Sequence, residues 1–309
     1  MRFLRPATVI FSLLGLSACD LAEVVDNGQR FREPFDYAYD LKPGGRFTLE
    51  GFNGSVEIYG WNQDKVEIRG EKLASEQSRL DEIKVDVMHT PDVVSVKASR
   101  PPGPNWSGHA GVKFVVRLPR KVVLGEVRTS NGPITVEGTE GRARLTTSNG
   151  PLKVRDLKGD LDARTSNGPL TISGFAGALV AETSNGPVSA DGVEGALDVT
   201  TSNGPVDVQA AGLSSSGPVK IRTSNGGVRL TLDKVSTDVE VRSSNGPISL
   251  KVPDSGMYLT ASTSHGRVRS DFPVQGQTES KSELTGKIGA GGPAVNLRTS
   301  NSNIQISRR

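Results

Sequence analysis

The sequence predicts an all-β protein. The fold expected is a β-solenoid, a single-stranded β-helix-like stack of about nine coils of roughly 18–22 residues, with an irregular β cap on its N-terminal side. Three observations predict it. Ser-Asn-Gly-Pro recurs every 18 residues from Ser130 through Ser148, Ser166, Ser184 and Ser202, and looser copies follow at Ser224, Ser244, Ser264 and Ser300. Apolar residues alternate on both sides of each copy. The composition, 36 Gly among 309 residues with 5% aromatics, suits narrow, turn-rich rungs better than a packed α/β core. With 23% charged and 35% hydrophobic residues, extended disorder is not expected.

The chain opens as an export signal over residues 1–18. Arg2 and Arg5 precede the short apolar run Val9–Leu16, which is too short to span a bilayer. Leu16-Ser17-Ala18-Cys19 follows and resembles the bacterial lipobox, in which the cysteine is acylated and becomes the new N-terminus. Cys19 is the single cysteine of the chain, so it has no disulfide partner, and lipidation accounts for it. Two or three acyl chains anchor firmly where one is marginal. By resemblance to enterobacterial lipoproteins, Asp20 favours the inner membrane, facing the periplasm; the outer membrane is the alternative. Residues 19–39 read as lipid anchor and polar tether, reaching roughly 25 Å if flexible.

Residues 40–125 read as the N-terminal β cap. Period-two runs at Val66–Ile68, Ile83–Val87, Val93–Ala98 and Val112–Leu118 are half-buried strands. Leu49–Ile58, with Gly51-Phe52-Asn53-Gly54 at its centre, looks like a degenerate first repeat. The spacing of Leu73, Gln77 and Leu80 places a short helix over Glu71–Asp81, and Arg100–Asn105 is a loop.

Residues 126–309 form the repeat region. Counting from Glu126, places two, nine and mostly eleven are apolar (Val127, Ile134 and Val136 in the first unit), and place four is Thr or Ser. Place six is Asn: Asn131, Asn149, Asn167, Asn185, Asn203, Asn225, Asn245 and Asn301, with His265 as a tolerated exception. Alternation puts places two, four and six on one inward face, with a turn at the place-seven glycine through positive φ. Stacked rungs then make apolar, Thr and Asn ladders about 4.8 Å apart. An inward Asn would cost about 1–3 kcal/mol to remove. The Gly-rich segment Gln275–Gly292 and a last unit at Asn296–Ser307 are expected to close the far end of the stack.

Asn-Gly between apolar runs is also a hairpin signal. Two points oppose that reading. The flanking Ser and Pro would be the first ladder pair, and Pro has no N–H to give. Eighteen residues also cannot supply two membrane strands of about 9–11 residues with turns.

The formal charge is +3, and loss of Arg2 and Arg5 leaves about +1, which is no nucleic-acid binder's excess. His89, His109 and His265 fit no metal-ligand spacing, and no phosphate loop or nucleophile motif occurs, so neither catalytic residue, metal nor cofactor is assigned. Arg222 and Arg242 read either as a solvated, charge-paired face or as a contact for an acidic glycan. Trp106, in a Pro-rich loop, is either packed or a sugar platform.

The repeated Thr-Ser-Asn-Gly-Pro units, Gly51–Val56, the Leu118-Pro119 step and Ala294–Asn301 together resemble a bacterial family known as "putative adhesin", a domain of unknown function in cell-envelope proteins. The resemblance covers roughly residues 40–307. It implies a β-solenoid, an envelope location and no catalytic residues. The function expected is a lipid-anchored, non-enzymatic envelope protein that presents a rigid surface to an envelope protein or glycan. A polysaccharide-acting enzyme on a β-helix scaffold and a structural envelope-stress protein are the alternatives.

Overall fold

The computed structural model describes residues 31–101, 110–212 and 217–309. Each regular rung consists of two short strands. In one rung, Leu161–Thr165 lies in the first sheet and Leu170–Ala176 in the second, and Ser166-Asn167-Gly168-Pro169 makes the corner between them. Leu161, Ala163 and Thr165 point inward from the first strand; Leu170, Ile172 and Phe175 do so from the second. Phe175 departs from strict alternation because Gly174, at φ 60°, is left-handed and returns the chain to the core. The same place is left-handed at Gly138, Asp156 and Gly192. Short polar Asp tolerates it better than most side chains do.

Like residues stack in parallel register. Leu161 sits between Ala143 and Leu179, and Leu170 between Leu152 and Val188. The described residues form one sheet of thirteen strands and another of fourteen, and neither closes into a barrel. The stack is roughly 50 Å long at one rung per 4.8 Å. Its core is one continuous apolar column from Leu41 to Ile306.

The corner glycine is required for a reason other than the turn. From Gly150 to Gly246 its backbone is not left-handed. Instead, a Cβ on Gly150, Gly168, Gly186, Gly204, Gly226 or Gly246 would fall onto the carbonyl oxygen of the corner glycine one rung before. Backbone stacks directly on backbone there, and no side chain fits. Positive φ is used at the opposite corner, where Gly141, Gly159, Gly177 and Gly195 lie between 118° and 150°.

The sheets run unbroken across residue 126. Two more coils precede the nine expected: Arg46–Glu50 with Val56–Trp61, and Val93–Ser99 with Ala110–Pro119. Chain order and stack order differ at both ends. The 46–61 coil lies between the 93–119 coil and the 123–137 coil. The last coil, Ala294–Thr299 with Ile304–Arg308, is inserted between the 239–252 and 257–270 coils. The expectation that this unit ends the stack is therefore corrected. The outermost coil is 257–270, covered on one sheet by the antiparallel pair Glu283–Ile288 and Gln275–Glu279.

At the other end, antiparallel strands Lys65–Ala74 and Phe31–Asp40 extend one sheet, and Lys84–Thr90 extends the other. Tyr39 stacks on His89 with ring centroids 4.1 Å apart, tying the two edges together. The tether assigned to 19–39 thus ends before Phe31. The aromatic alternation Phe35, Tyr37, Tyr39 makes those residues a strand that packs on the core. The helix is also shorter than expected. It spans Gln77–Glu82, because Glu71 to Ala74 continue a strand that pairs on both sides; Leu80 is its buried residue.

Thr139 is 2% exposed, and its hydroxyl has no hydrogen-bond partner among the described residues. It opens the inward row that continues as Leu157, Phe175 and Val193. Thr139→Val keeps the shape and removes the desolvated hydroxyl. It should raise unfolding free energy by about 1 kcal/mol in urea titration; a loss of stability would show that the hydroxyl is satisfied in solution.

Candidate functional site

The corner of each rung sorts four side chains by environment. At the corners after Thr165, Thr183 and Thr201 the Thr is buried, the Ser and Asn are exposed, the Gly is buried and the Pro is exposed; Ser130, Gly132 and Pro151 are half-buried, and Gly227, Arg267 and Asn303 stand at the Pro place of later coils. The buried Thr hydroxyl donates to the corner glycine carbonyl one rung before: Thr147 to Gly132, Thr165 to Gly150 and Thr183 to Gly168, each at 3.1 Å. The pattern continues through Thr201, Thr223, Ser243 and Thr299. Thr263 bonds Ser302, which stands at the glycine place of the inserted last coil.

The Asn side chains form a second ladder. The amide Nδ2 of Asn149 donates to Oδ1 of Asn131 at 2.7 Å, and Asn167, Asn185 and Asn203 follow at 2.8 Å each. Asn225, Asn245 and Asn301 continue it at 2.6–2.7 Å. Asn131 itself donates to Asn53, whose amide donates in turn to the Ala110 carbonyl. Asn53 is thus a further ladder residue beyond the eight expected, and its Asn-Gly pair lies in the degenerate first repeat. All side-chain amides point the same way along the stack, so each bond polarises the next.

The facing of the Asn is a correction. From the third rung on, regular strand pairing stops at place four and residues such as 166–168 form a bend; in the first two rungs the strands reach Asn131 and Asn149, which are nevertheless exposed, so the inward parity of places two and four does not carry to place six. The ladder lies on the surface as a ridge of Ser, Asn and Pro. His265, also exposed, takes the Asn place on the outermost coil and is held by its backbone N–H to the Ser300 carbonyl at 2.9 Å.

Arg222 and Arg242 stack in register on the outer face. Arg222 lies 3.5 Å from both Asp198 and Glu240, and Arg242 lies 2.6 Å from Glu240. Arg222 is thus charge-paired across rungs and Arg242 within its own strand. Arg144 pairs with Asp162 across rungs, and Arg164 pairs with Asp162 on its own strand and with Glu182 on the next rung. The hydrogen bond from Arg164 to Asp162 and the charge of that carboxylate raise its guanidinium pKa further. Such exposed pairs are worth roughly 0–1 kcal/mol each. Tyr59 donates to Glu57 at 2.8 Å; its partial burial and that bond push the phenol up to about 12. Among the described residues, no cluster of three His, Cys, Asp or Glu could hold a metal. Cys19, Asp20, Trp106 and His109 lie outside the described residues.

The family described as Toastrack DUF4097 matches residues 113–307, the repeats and the strand before them. The chain belongs to the Toastrack DUF4097 family. Its resemblance to a "putative adhesin" domain of unknown function is thereby supported, and the stacked parallel sheets agree with this family's β-solenoid-like fold. No curated protein matches the chain. Solved structures similar to it include a "putative adhesin" from Parabacteroides merdae, 13% identical, covering 92% of this chain and 97% of that one, with a TM-score of 0.39. Another is a "putative lipid binding protein" from Parabacteroides distasonis, 12% identical over 92% and 98%, with a TM-score of 0.35. A "putative cell adhesion protein" from Clostridium sporogenes is 14% identical over 90% and 100%, with a TM-score of 0.22.

The exposed ladder makes a smaller energetic demand than an inward one. Asn167→Leu removes its bonds to Asn149 and Asn185, but water can reach the groups left behind. The expected cost is about 0.5–1.5 kcal/mol in denaturant unfolding. A cost above about 3 kcal/mol would mean that the ridge is buried in solution.

Proposed function

We propose that this protein is a lipid-anchored component of the bacterial cell envelope that faces the periplasm and works by binding rather than catalysis. Its rigid solenoid presents the corner ridge for adhesion to an envelope protein or glycan. The observation that carries this reading is the ridge itself. Rung after rung shows the same exposed Ser, Asn and Pro at a fixed spacing, held from behind by the Thr–Gly bonds. Such a surface singles out no one rung; it suits a partner that is itself extended or repetitive. Preorganisation lowers the entropy cost of binding such a partner.

The leader supports the anchor. Arg2, Arg5, the Val9–Leu16 run and Leu16-Ser17-Ala18-Cys19 supply the parts a lipoprotein signal needs. The chain between Cys19 and the first strand spans roughly 20 Å if flexible, so the capped N-terminal end of the stack would stay near the bilayer.

Two variants test the two halves. Cys19→Ala should move the protein from the membrane fraction to the soluble one. A ridge variant carrying Ser166→Arg, Ser184→Glu and Ser202→Arg should melt as the parent does and bind delipidated envelope fragments at least about tenfold more weakly. Unchanged retention by the ridge variant, or turnover of an envelope polymer by the parent, contradicts the reading.

A further inference from the structure

A β-bulge interrupts the outer face of the first sheet. Leu124 and Val127 pair with Ala143 and Leu145 on one side and with Phe47 and Leu49 on the other, so Gly125 and Glu126 together oppose one residue of each neighbour. Those residues are Arg144 and Thr48. Bulges re-aim side chains and recur beside functional sites. Here the bulge leaves bare backbone at Gly125, where neighbouring rungs carry outward side chains. Arg46 folds over the gap: a Cβ on Gly125 would lie 3.2 Å from an Arg46 Nη1 and 3.0 Å from the Thr48 methyl.

The gap opens into a depression of about 430 Å³, within the size range of small-molecule sites. Arg142 and Arg144 line its far side, held by Asp160 at 2.9 Å and Asp162 at 3.4 Å. Ala178 and the exposed Val180 supply an apolar patch. The lining therefore has three guanidinium groups to two carboxylates. Arg46 has no ion-pair partner among the described residues. Glu126, the other bulge residue, lines a neighbouring depression with Glu50, Asp86, Lys97 and Arg128, where carboxylates outnumber cations, so the excess of guanidinium groups is confined to the depression at Gly125. The two depressions are separate and are lined by different residues of the same two strands, Arg46–Glu50 and Val123–Asn131.

We propose that the depression at Gly125 is a binding subsite for an acidic sugar unit of a linear glycan. The planar fork of Arg46 matches a sugar carboxylate and supplies the charge that the lining leaves uncompensated. The Arg142–Asp160 and Arg144–Asp162 pairs offer fixed donors and acceptors for ring hydroxyls, and Val180 takes an apolar ring face. The missing Gly125 side chain leaves room for Arg46 to lie against the backbone at the edge of the depression. This site lies on a sheet face, away from the corner ridge, and stands or falls independently of the ridge.

The test is calorimetric titration of the full chain in non-ionic detergent with tri-galacturonate. Its methyl ester, which keeps the shape and loses the charge, and an acidic peptide of similar charge are titrated alongside. The free acid should bind at least about tenfold more tightly than either. Arg46→Gln should weaken it about tenfold or more, Gly125→Ala should weaken it by crowding Thr48 and Arg46, and Lys153→Gln on the other sheet should bind as the parent does. If Gly125→Ala lowers the melting temperature, Arg46→Gln carries the comparison alone. Absent binding of the acid, equal binding of ester or peptide, or an Arg46→Gln variant equal to the parent would overturn the proposal.

Discussion

Everything regular in this molecule depends on the approach of one backbone to another at the Ser-Asn-Gly-Pro corner. The glycine Cα of each rung rests against the glycine carbonyl of the rung before, too close for any Cβ. That approach would bury an acceptor, and an unsatisfied buried carbonyl costs about 1–3 kcal/mol. The buried Thr of the next rung satisfies it with a hydroxyl. Glycine and threonine are thus one device. The spacing it sets puts the apolar columns in register and sets the Asn amides within bonding reach on the outside.

This dependence explains what could be read from the sequence. A contact repeated at every rung leaves a period, so the fold class, the two strands per unit and the Asn ladder were legible. The facing of the Asn was not. Period-two counting assumes a strand that continues, whereas the strand ends at Thr165 and the chain is already bending at Ser166. The reason for the glycine was also hidden, because a residue needed for space and one needed for positive φ look the same in a sequence. Both occur here, Gly168 for the first reason and Gly192 for the second, while Gly177 is needed for both.

Stack order was illegible for a related reason. Every rung offers the same edges, so Asn301 can dock on Asn245 and Thr263 on Ser302 with the geometry of any other pair. A period carries no information about which coil lies next to which. The two early coils were hard to count because their partners are nonlocal: Val56 pairs with both Phe114 and Ile134. At the ends, where stacking stops, antiparallel strands and the Tyr39–His89 contact cover the open cross-section. These are the places where the repeat gives way to individual side chains.

The same logic separates two kinds of surface. The ridge is uniform because it is the outside of the structural device, while the bulge at Gly125 is a single departure that collects Arg46, Arg142 and Arg144. The central claim concerns the device itself, and equilibrium unfolding of Thr183→Val tests it most directly. Valine matches threonine in shape but cannot donate to the Gly168 carbonyl. The account predicts a loss of about 1–3 kcal/mol with an unchanged denaturant slope. Stability equal to the parent's would contradict it, because the corner carbonyls would then not depend on the threonine ladder.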